Sequence, residues 1–201
     1  KIEDYYEKIR SSKQEKPFHE IILQVGNKDD MSAEGEDGQL AAAVLDEIIT
    51  DGMDDYEKEL AVHDYIIYNV TYDEGSLSAI PNPAEHCDDP YGALINGKAI
   101  CKGYTTTFRM FMGMLSIPCG TVHSSDATGE EHAWNTVKLD GSWYYVDCTW
   151  DDPIPDSAAR PVIHTYFNVS REEIETDHVL PDGCPDTESA ANSYYTRSAV
   201  K

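Results

Sequence analysis

Hydrophobic positions in the first half of the chain recur at the spacing of α-helices. One predicted helix spans residues 39–50, and a second begins near Asp54–Asp55, whose carboxylates suit a helix N-terminus. A buried third helix is predicted over residues 101–115, because large apolar side chains repeat there at intervals of three and four: Tyr104, Phe108, Phe111 and Leu115. The other elements predicted in this half are a short amphipathic helix over residues 1–16, a strand over 18–25, and loops over 26–38 and 73–90.

From residue 118 onward the apolar period changes to two, which is typical of β-strands. The elements predicted there are strands over residues 118–124, 131–139, 142–149 and 164–169, then a short acidic helix over 170–178. Because helices come first and an antiparallel sheet follows, the predicted fold class is α+β. No apolar stretch approaches the ~18 residues that a membrane span requires, so none is predicted.

Asp140-Gly141 lies between two strand-like runs and predicts a two-residue hairpin turn. This turn sets Leu139 opposite Ser142. The same register puts His132 and Asp147 on one face as diagonal neighbours, roughly 7–8 Å apart at the backbone. A slip of one residue would separate them onto opposite faces. The other face carries the residues of a predicted core: Ala133, Val137, Leu139, Tyr144, Val146 and Cys148.

A histidine beside a carboxylate supplies the base and the orienting acid of a nucleophilic triad. Cys101 is the candidate nucleophile, because it opens the predicted buried helix, where free N–H groups and the helix dipole favour a thiolate and can hold an oxyanion. Taken singly, each residue has a plainer reading: Cys101 as a small buried side chain, His132 as a structural histidine, and Asp147 as a turn cap. The joint arrangement of the three residues favours a catalytic role.

The chain of 201 residues carries 15 Lys and Arg against 38 Asp and Glu, a net charge of −23. This acidity argues against nucleic-acid binding and against a basic membrane anchor. Residues 90–125 depart from it, with no Asp or Glu and three cations, which are Lys98, Lys102 and Arg109. The one cationic stretch therefore surrounds Cys101.

Three blocks of sequence, in the order Cys, His, Asp and separated by 31 and 15 residues, resemble the core of bacterial transglutaminase-like domains of the papain-like thiol superfamily. The blocks are Gly97-Lys-Ala-Ile-Cys-Lys-Gly-Tyr104, His132-Ala-Trp-Asn135 and Trp143-Tyr-Tyr-Val-Asp-Cys-Thr-Trp-Asp151. The resemblance covers roughly residues 55–170. It implies a papain-like core in which the helix bearing the nucleophile packs on an antiparallel sheet bearing the other two residues.

The resemblance implies that Cys101 is the nucleophile, His132 the base and Asp147 the orienting acid. Trp134 is expected to shield the His132–Asp147 pair from water. Tyr91 is expected either to line the site and supply an oxyanion donor or to serve only as a packing aromatic. The predicted organisation is an N-terminal segment over residues 1–54 packed on the core, a catalytic core over 55–178, and a loosely ordered tail over 179–201.

The resemblance further implies a thiol-dependent hydrolase or acyltransferase that acts on peptide amide bonds through an acyl-thioester, foremost a cysteine protease or amidase. The alternative is an inactive peptide- or glycan-binding module that retains the fold. The expected partner is a peptide or protein substrate, including one at a cell surface, and the oligomeric state stays open. No cofactor or metal is expected, since no CxxC or HxxxH pair occurs; His86–Asp89 reads as a solvated loop.

The five cysteines leave two redox states open: all free, or four paired and one free. A chain that begins at Lys1 is compatible with a removed export signal. Together with the acidic surface and the resemblance to domains of secreted proteins, this favours an extracellular or cell-surface location, with a cytoplasmic one as the alternative. A count of free thiols distinguishes them.

Overall fold

The computed structural model describes residues 36–80, 82–152 and 162–187, so the helix and strand predicted before residue 26 lie outside it. The two helices predicted next are present as α1 (Glu36–Ile48) and α2 (Asp55–Asn69). A capping box opens α2: the Asp54 side chain accepts from the Glu57 N–H, and the Glu57 side chain accepts from the Asp54 N–H. These bonds satisfy amides that a helix start leaves unpaired.

The segment between α2 and Cys101 contains four short elements, one of which, a short helix, lies within the loop predicted over residues 73–90. It contains, in order, β1 (Thr71–Tyr72), α3 (Glu74–Ser78), a π-helical turn (Gly92–Asn96) and β2 (Lys98–Ala99). Strands β1 and β2 pair in parallel, with Thr71 opposite Lys98 and Tyr72 opposite Ala99. The predicted buried helix follows directly as α4 (Cys101–Met114). The β1–β2 pair therefore fixes where α4 begins.

A four-stranded antiparallel sheet in the order β5-β4-β3-β6 forms the second half of the described chain. Its strands are β3 (Cys119–Asp126), β4 (Glu131–Leu139), β5 (Ser142–Val146) and β6 (His178–Val179). The predicted hairpin register is confirmed, with Leu139 opposite Ser142 and Asn135 opposite Val146. Asp140 and Gly141 both have positive φ, 48° and 89°, as a two-residue primed turn requires.

The predicted end of one strand is wrong, and so is the prediction of another strand. β5 ends at Val146 rather than 149, because the Asp147 side chain caps the following turn. The strand predicted over residues 164–169 is absent: Val169 makes only an isolated bridge with Tyr145. The Tyr166 N–H is taken by the Asp151 carboxylate, and Asn168 has a φ of 51° in the left-handed region, so the segment cannot continue a ladder. The predicted acidic helix is α5 (Arg171–Ile174), and β6 follows it.

The main core lies where α4 packs on β3 and β4, with α1 and α2 against the same helix. The hairpin side chains predicted to form a core are all buried, as are Tyr104, Phe108, Phe111 and Met112 of α4. Asn135 ties the layers together, because its Nδ2 donates to the carbonyls of Thr105 in α4 and Gly120 in β3. A smaller cluster contains Val122, Trp134, Tyr145, Val169 and Ile174. No helix among the described residues has the length and apolar character of a membrane crossing.

Candidate active site

Cys101 is the first residue of α4 and is half-buried. The preceding Ile100 has extended backbone geometry and no side-chain cap, so the first amides of the helix are not occupied by a capping side chain. The Ile100 N–H is tied to the Cys87 carbonyl at 2.8 Å, which anchors the helix start to the loop before it. Cys101 therefore has the setting expected of a nucleophile, a fixed helix N-terminus that stabilises negative charge.

His132 and Asp147 meet as the hairpin register predicted, with 2.6 Å between His132 Nε2 and Asp147 Oδ2. Both are buried, at 9% and 1% exposure. Burial disfavours the imidazolium, but hydrogen bonds with Asp147 and with Cys101 outweigh it and raise the pKa of His132 to about 10. Because Nε2 faces Asp147, Nδ1 is left for the Cys101 side of the ring. The structure thus brings His132 and Asp147 together, and Cys101 lies close enough to influence the pKa of His132; the catalytic role of the three residues stays a prediction.

The side chain of Asp147 makes four hydrogen bonds. Oδ1 accepts from the N–H groups of Thr149 (2.9 Å) and Trp150 (3.2 Å), and Oδ2 accepts from His132 and from His178. Burial alone would raise the pKa of Asp147, but the two histidines outweigh it and hold that pKa at about 2. Asp147 is therefore both a turn cap and an ionised partner of His132. Its role as the orienting acid stays a prediction.

Aromatic rings enclose the His132 imidazole. Trp134 stacks on it with ring centroids 5.7 Å apart, and Trp150 stacks at 5.3 Å. Trp134 is fully buried, in keeping with the predicted shielding of the His132–Asp147 pair. Such rings restrict the imidazole to one orientation and exclude water, which strengthens the electrostatic coupling inside the site. The stacking of Trp150 was not predicted, because it lies beyond the end of β5.

The comparison with family models decides the class of the protein. The model of the transglutaminase-like superfamily matches residues 42–148, more than half of the chain. The chain belongs to the transglutaminase-like superfamily. This result and the mixed helix and antiparallel-sheet architecture confirm the predicted α+β, transglutaminase-like fold.

The transglutaminase-like chain is similar to kyphoscoliosis peptidase from Homo sapiens, at 28% identity over 141 residues, which are 63% of this chain and 21% of that protein. The protein of the same name from Mus musculus is 25% identical over 134 residues, 61% of this chain and 20% of that protein. The chain thus spans about a fifth of the length of these relatives. A solved structure described as a TGase has a TM-score of 0.52 at 21% identity, covering 80% of this chain and 40% of that one, and shows the fold alone.

Two tyrosines bear on the transglutaminase-like site. Tyr91, the predicted aromatic, has its hydroxyl 3.4 Å from Glu36 Oε2 and its ring 4.6 Å from that of His86. Its role at the site stays a prediction. Tyr72, which the sequence did not indicate, pairs with Ala99 two residues before Cys101. Burial and then the electrostatic influence of Cys101 raise the pKa of Tyr72 to about 12, so a phenol that keeps its proton lies near Cys101.

Two groups of described side chains bring metal-ligand atoms within 4.8 Å of one another, which are His63 with Asp64 and His164, and His132 with Asp147 and His178. In the first group the ring nitrogens of His63 lie 3.1 Å from Asp64 Oδ1 and 3.1 Å from Asp151 Oδ2. Burial lowers the pKa of His63, but these carboxylates outweigh it and raise that pKa to about 9. The contact of His63 with Asp151 therefore has the geometry of an ion pair, and it ties α2 to the turn after β5. The expected absence of a metal stays a prediction.

Proposed function

We propose that this transglutaminase-like chain is a thiol-dependent enzyme that cleaves or transfers the acyl group of peptide amide bonds, with hydrolysis as the main reaction. The observation that supports it is the 2.6 Å contact of His132 with ionised Asp147, on a histidine whose pKa is also raised by interaction with Cys101. Thiol catalysis uses a buried imidazole as the base, a carboxylate that orients it and a nearby thiol as the nucleophile, and His132, Asp147 and Cys101 supply these three groups in the proposal.

The proposed reaction has two halves. Cys101 passes its thiol proton to His132, and Sγ bonds to the amide carbonyl carbon; the C–N bond then breaks as the leaving amine takes that proton from His132. This leaves an acyl-thioester on Cys101. Water or an amine then gives a proton to His132 and bonds to the acyl carbon, and the C–S bond breaks to release Cys101. Asp147 stabilises the imidazolium form of His132 in both halves.

The acceptor determines the product, because water gives hydrolysis and an amine gives transfer. Entry of an amine depends on the shape and dryness of the pocket. Hydrolysis is placed first because the name of the curated relatives describes a peptidase. Since the chain spans about a fifth of those proteins, their activity is carried over only as part of this proposal.

The test is turnover of a panel of peptide amides by the wild type, with and without an added primary amine, read by mass spectrometry. Wild type should release the acid product, and Cys101→Ala should not. Cys184→Ala, which removes a thiol that packs in the smaller cluster, should turn over like wild type. Equal turnover by Cys101→Ala would contradict the proposal. Peptide binding by both proteins without turnover by wild type would instead support the inactive binding module.

An extracellular or cell-surface location is part of the proposal and rests on the sequence features alone. All five cysteines lie in the described residues and are free thiols in the structure. Titration of thiols in protein isolated from its native source would test the location: fewer than five free thiols supports an oxidising compartment, and five supports the cytoplasm.

A further inference from the structure

His178 lies in β6 and contacts the same oxygen of Asp147 that His132 contacts. Its side chain is fully buried, with Nε2 3.0 Å from Asp147 Oδ2 and Nδ1 2.7 Å from Asp177 Oδ1. The sequence did not indicate it, because residues 170–178 read as an acidic helix and β6 has only two residues. His178 reaches the site by a long-range pairing of β6 with β3, in which it stands opposite Asp126.

The orientation of the His178 ring is fixed on several sides. Trp150 lies 4.3 Å away between ring centroids, Trp134 meets it edge-on at 4.7 Å, and Tyr166 lies at 5.4 Å. The Tyr166 hydroxyl donates to Asp177 Oδ2 at 2.6 Å, so the carboxylate that holds Nδ1 is itself held in place. A ring packed in this way has one position in which to present Nε2 to Asp147.

The charged and titratable groups around His178 are few and come from different elements. Asp147 and Asp177 contact its two nitrogens, and His132 of β4 lies 5.4 Å away between ring centroids. Asp126 of β3 is engaged in its own turn, where Oδ1 accepts from the N–H groups of Thr128 and Glu130. Tyr166 acts through Asp177, and the Asp151 carboxylate accepts the Tyr166 N–H.

The position of His178 matters because a buried carboxylate is costly unless donors surround it. Asp147 receives two backbone donors on Oδ1 and two imidazoles on Oδ2. His132 exchanges a proton at Nδ1 in the proposed reaction and keeps Nε2 on Asp147, whereas His178 holds the same carboxylate oxygen without taking part in the proton transfer.

We propose that His178 is a positioning residue that keeps Asp147 ionised and aimed at His132, so that Cys101 stays reactive toward acid pH. This inference rests on the proposed function. Loss of a hydrogen bond to a charged group corresponds to a shift of about 1 to 2 pH units in the protonation of Asp147. Removal of the His178 donor should therefore let Asp147 take up a proton at higher pH and weaken the Cys101–His132 pair there first.

The experiment compares wild type with His178→Phe, which keeps a ring among the aromatics but has no N–H, and with His178→Gln, which keeps a donor. Because the pKa of Asp147 is about 2 in wild type, rates of alkylation by iodoacetamide are measured from pH 2.5 to 8, with Cys101 resolved by peptide mass spectrometry. The acid limb of the Cys101 rate should move up by about 1 to 2 pH units in His178→Phe and by less in His178→Gln. The rate loss should thus be larger at pH 3 than at pH 8.

Equal losses at pH 3 and pH 8, with an unmoved acid limb, would show a merely structural role and overturn the inference while leaving the proposed function intact. If wild-type Cys101 reacts no faster than the other thiols, the inference and the proposed function fail together. Should His178→Phe not fold, Asp177→Asn carries the same test, since it weakens the hold on His178 Nδ1 from a partly exposed position. Its acid limb should move in the same direction by a smaller amount.

Discussion

Two glycines in α4 offer a matched pair of substitutions that tests how the nucleophile is placed. A methyl group added at Gly103 would lie 2.5 Å from the Ala99 Cβ and 2.9 Å from the Cys87 carbonyl oxygen, so the backbone must shift to admit it. A methyl group at Gly113, near the other end of the same helix, would meet no atom within 4 Å. Both changes are Gly→Ala within one helix, so their helix propensity gain is the same.

The expected free energies follow from that difference. Ala is favoured over Gly in a helix by about 0.8 to 1 kcal/mol, so Gly113→Ala should raise the free energy of unfolding by about that amount. Gly103→Ala has the same gain, but forcing a methyl group into a packed site costs about 1 to 3 kcal/mol. The two variants should therefore differ by about 1 to 3 kcal/mol, with Gly103→Ala the less stable.

Urea unfolding measures this difference, and the reactivity of Cys101 measures its consequence. Relief of the contacts at Gly103 must move the first turn of α4 away from β2 or the loop that holds it. Because Cys101 lies in that turn, its sulfur shifts relative to His132, and a misplacement of ~1 Å can cost about 100-fold in rate. Equal stability of the two variants, together with wild-type Cys101 alkylation in Gly103→Ala, would refute this reading of the close contact.

Three further predictions concern ionisation. Burial raises the pKa of Glu59 to about 8, although a hydrogen bond from Asn168 lowers it. Because this folded pKa is above the unfolded value of about 4.3, the free energy of unfolding falls as the pH rises through about 8. Glu59→Gln should therefore gain unfolding free energy over wild type between pH 5 and pH 8 in urea titrations, and a constant difference would contradict this. Asp147→Asn should lower kcat/KM about 10⁴-fold with an unchanged circular dichroism spectrum, and a loss under 10-fold would contradict its role. Since the pKa of His132 is raised to about 10, kcat/KM should fall as the pH rises through about 10. A fall of kcat/KM near pH 6.5 would contradict this, because it would show that Asp147 and Cys101 do not raise the pKa of His132.

The parts of the site that the sequence predicts are those set by local geometry. A two-residue turn at Asp140-Gly141 determines the register of its hairpin, and this alone brings His132 to Asp147. The helical repeat after Cys101 likewise predicts α4 and its N-terminal nucleophile. Both inferences need only neighbouring residues and one period.

The parts that the sequence does not predict depend on long-range pairing or on buried polar groups. His178 reaches Asp147 through a two-residue strand with no period to detect, and Tyr72 reaches the field of Cys101 through an equally short one. His63 and Asp64 interrupt the apolar positions of α2, yet both are fully buried because partners from the far end of the chain pair with them, including Asp151. A pattern of hydrophobic positions does not indicate buried polar pairs between residues that are distant in the sequence.

The central claim is that His132 activates Cys101, and the relative alkylation rate of Cys101 tests it most directly. At pH 6 a free thiol, whose pKa is about 8.5, is almost wholly protonated and reacts slowly. Cys101 of the wild type should then react at least ~10-fold faster than Cys184 in peptide-resolved labelling, and His132→Ala should abolish the difference. Equal slow labelling of both cysteines in wild type, or fast labelling of Cys101 that persists in His132→Ala, would contradict the account.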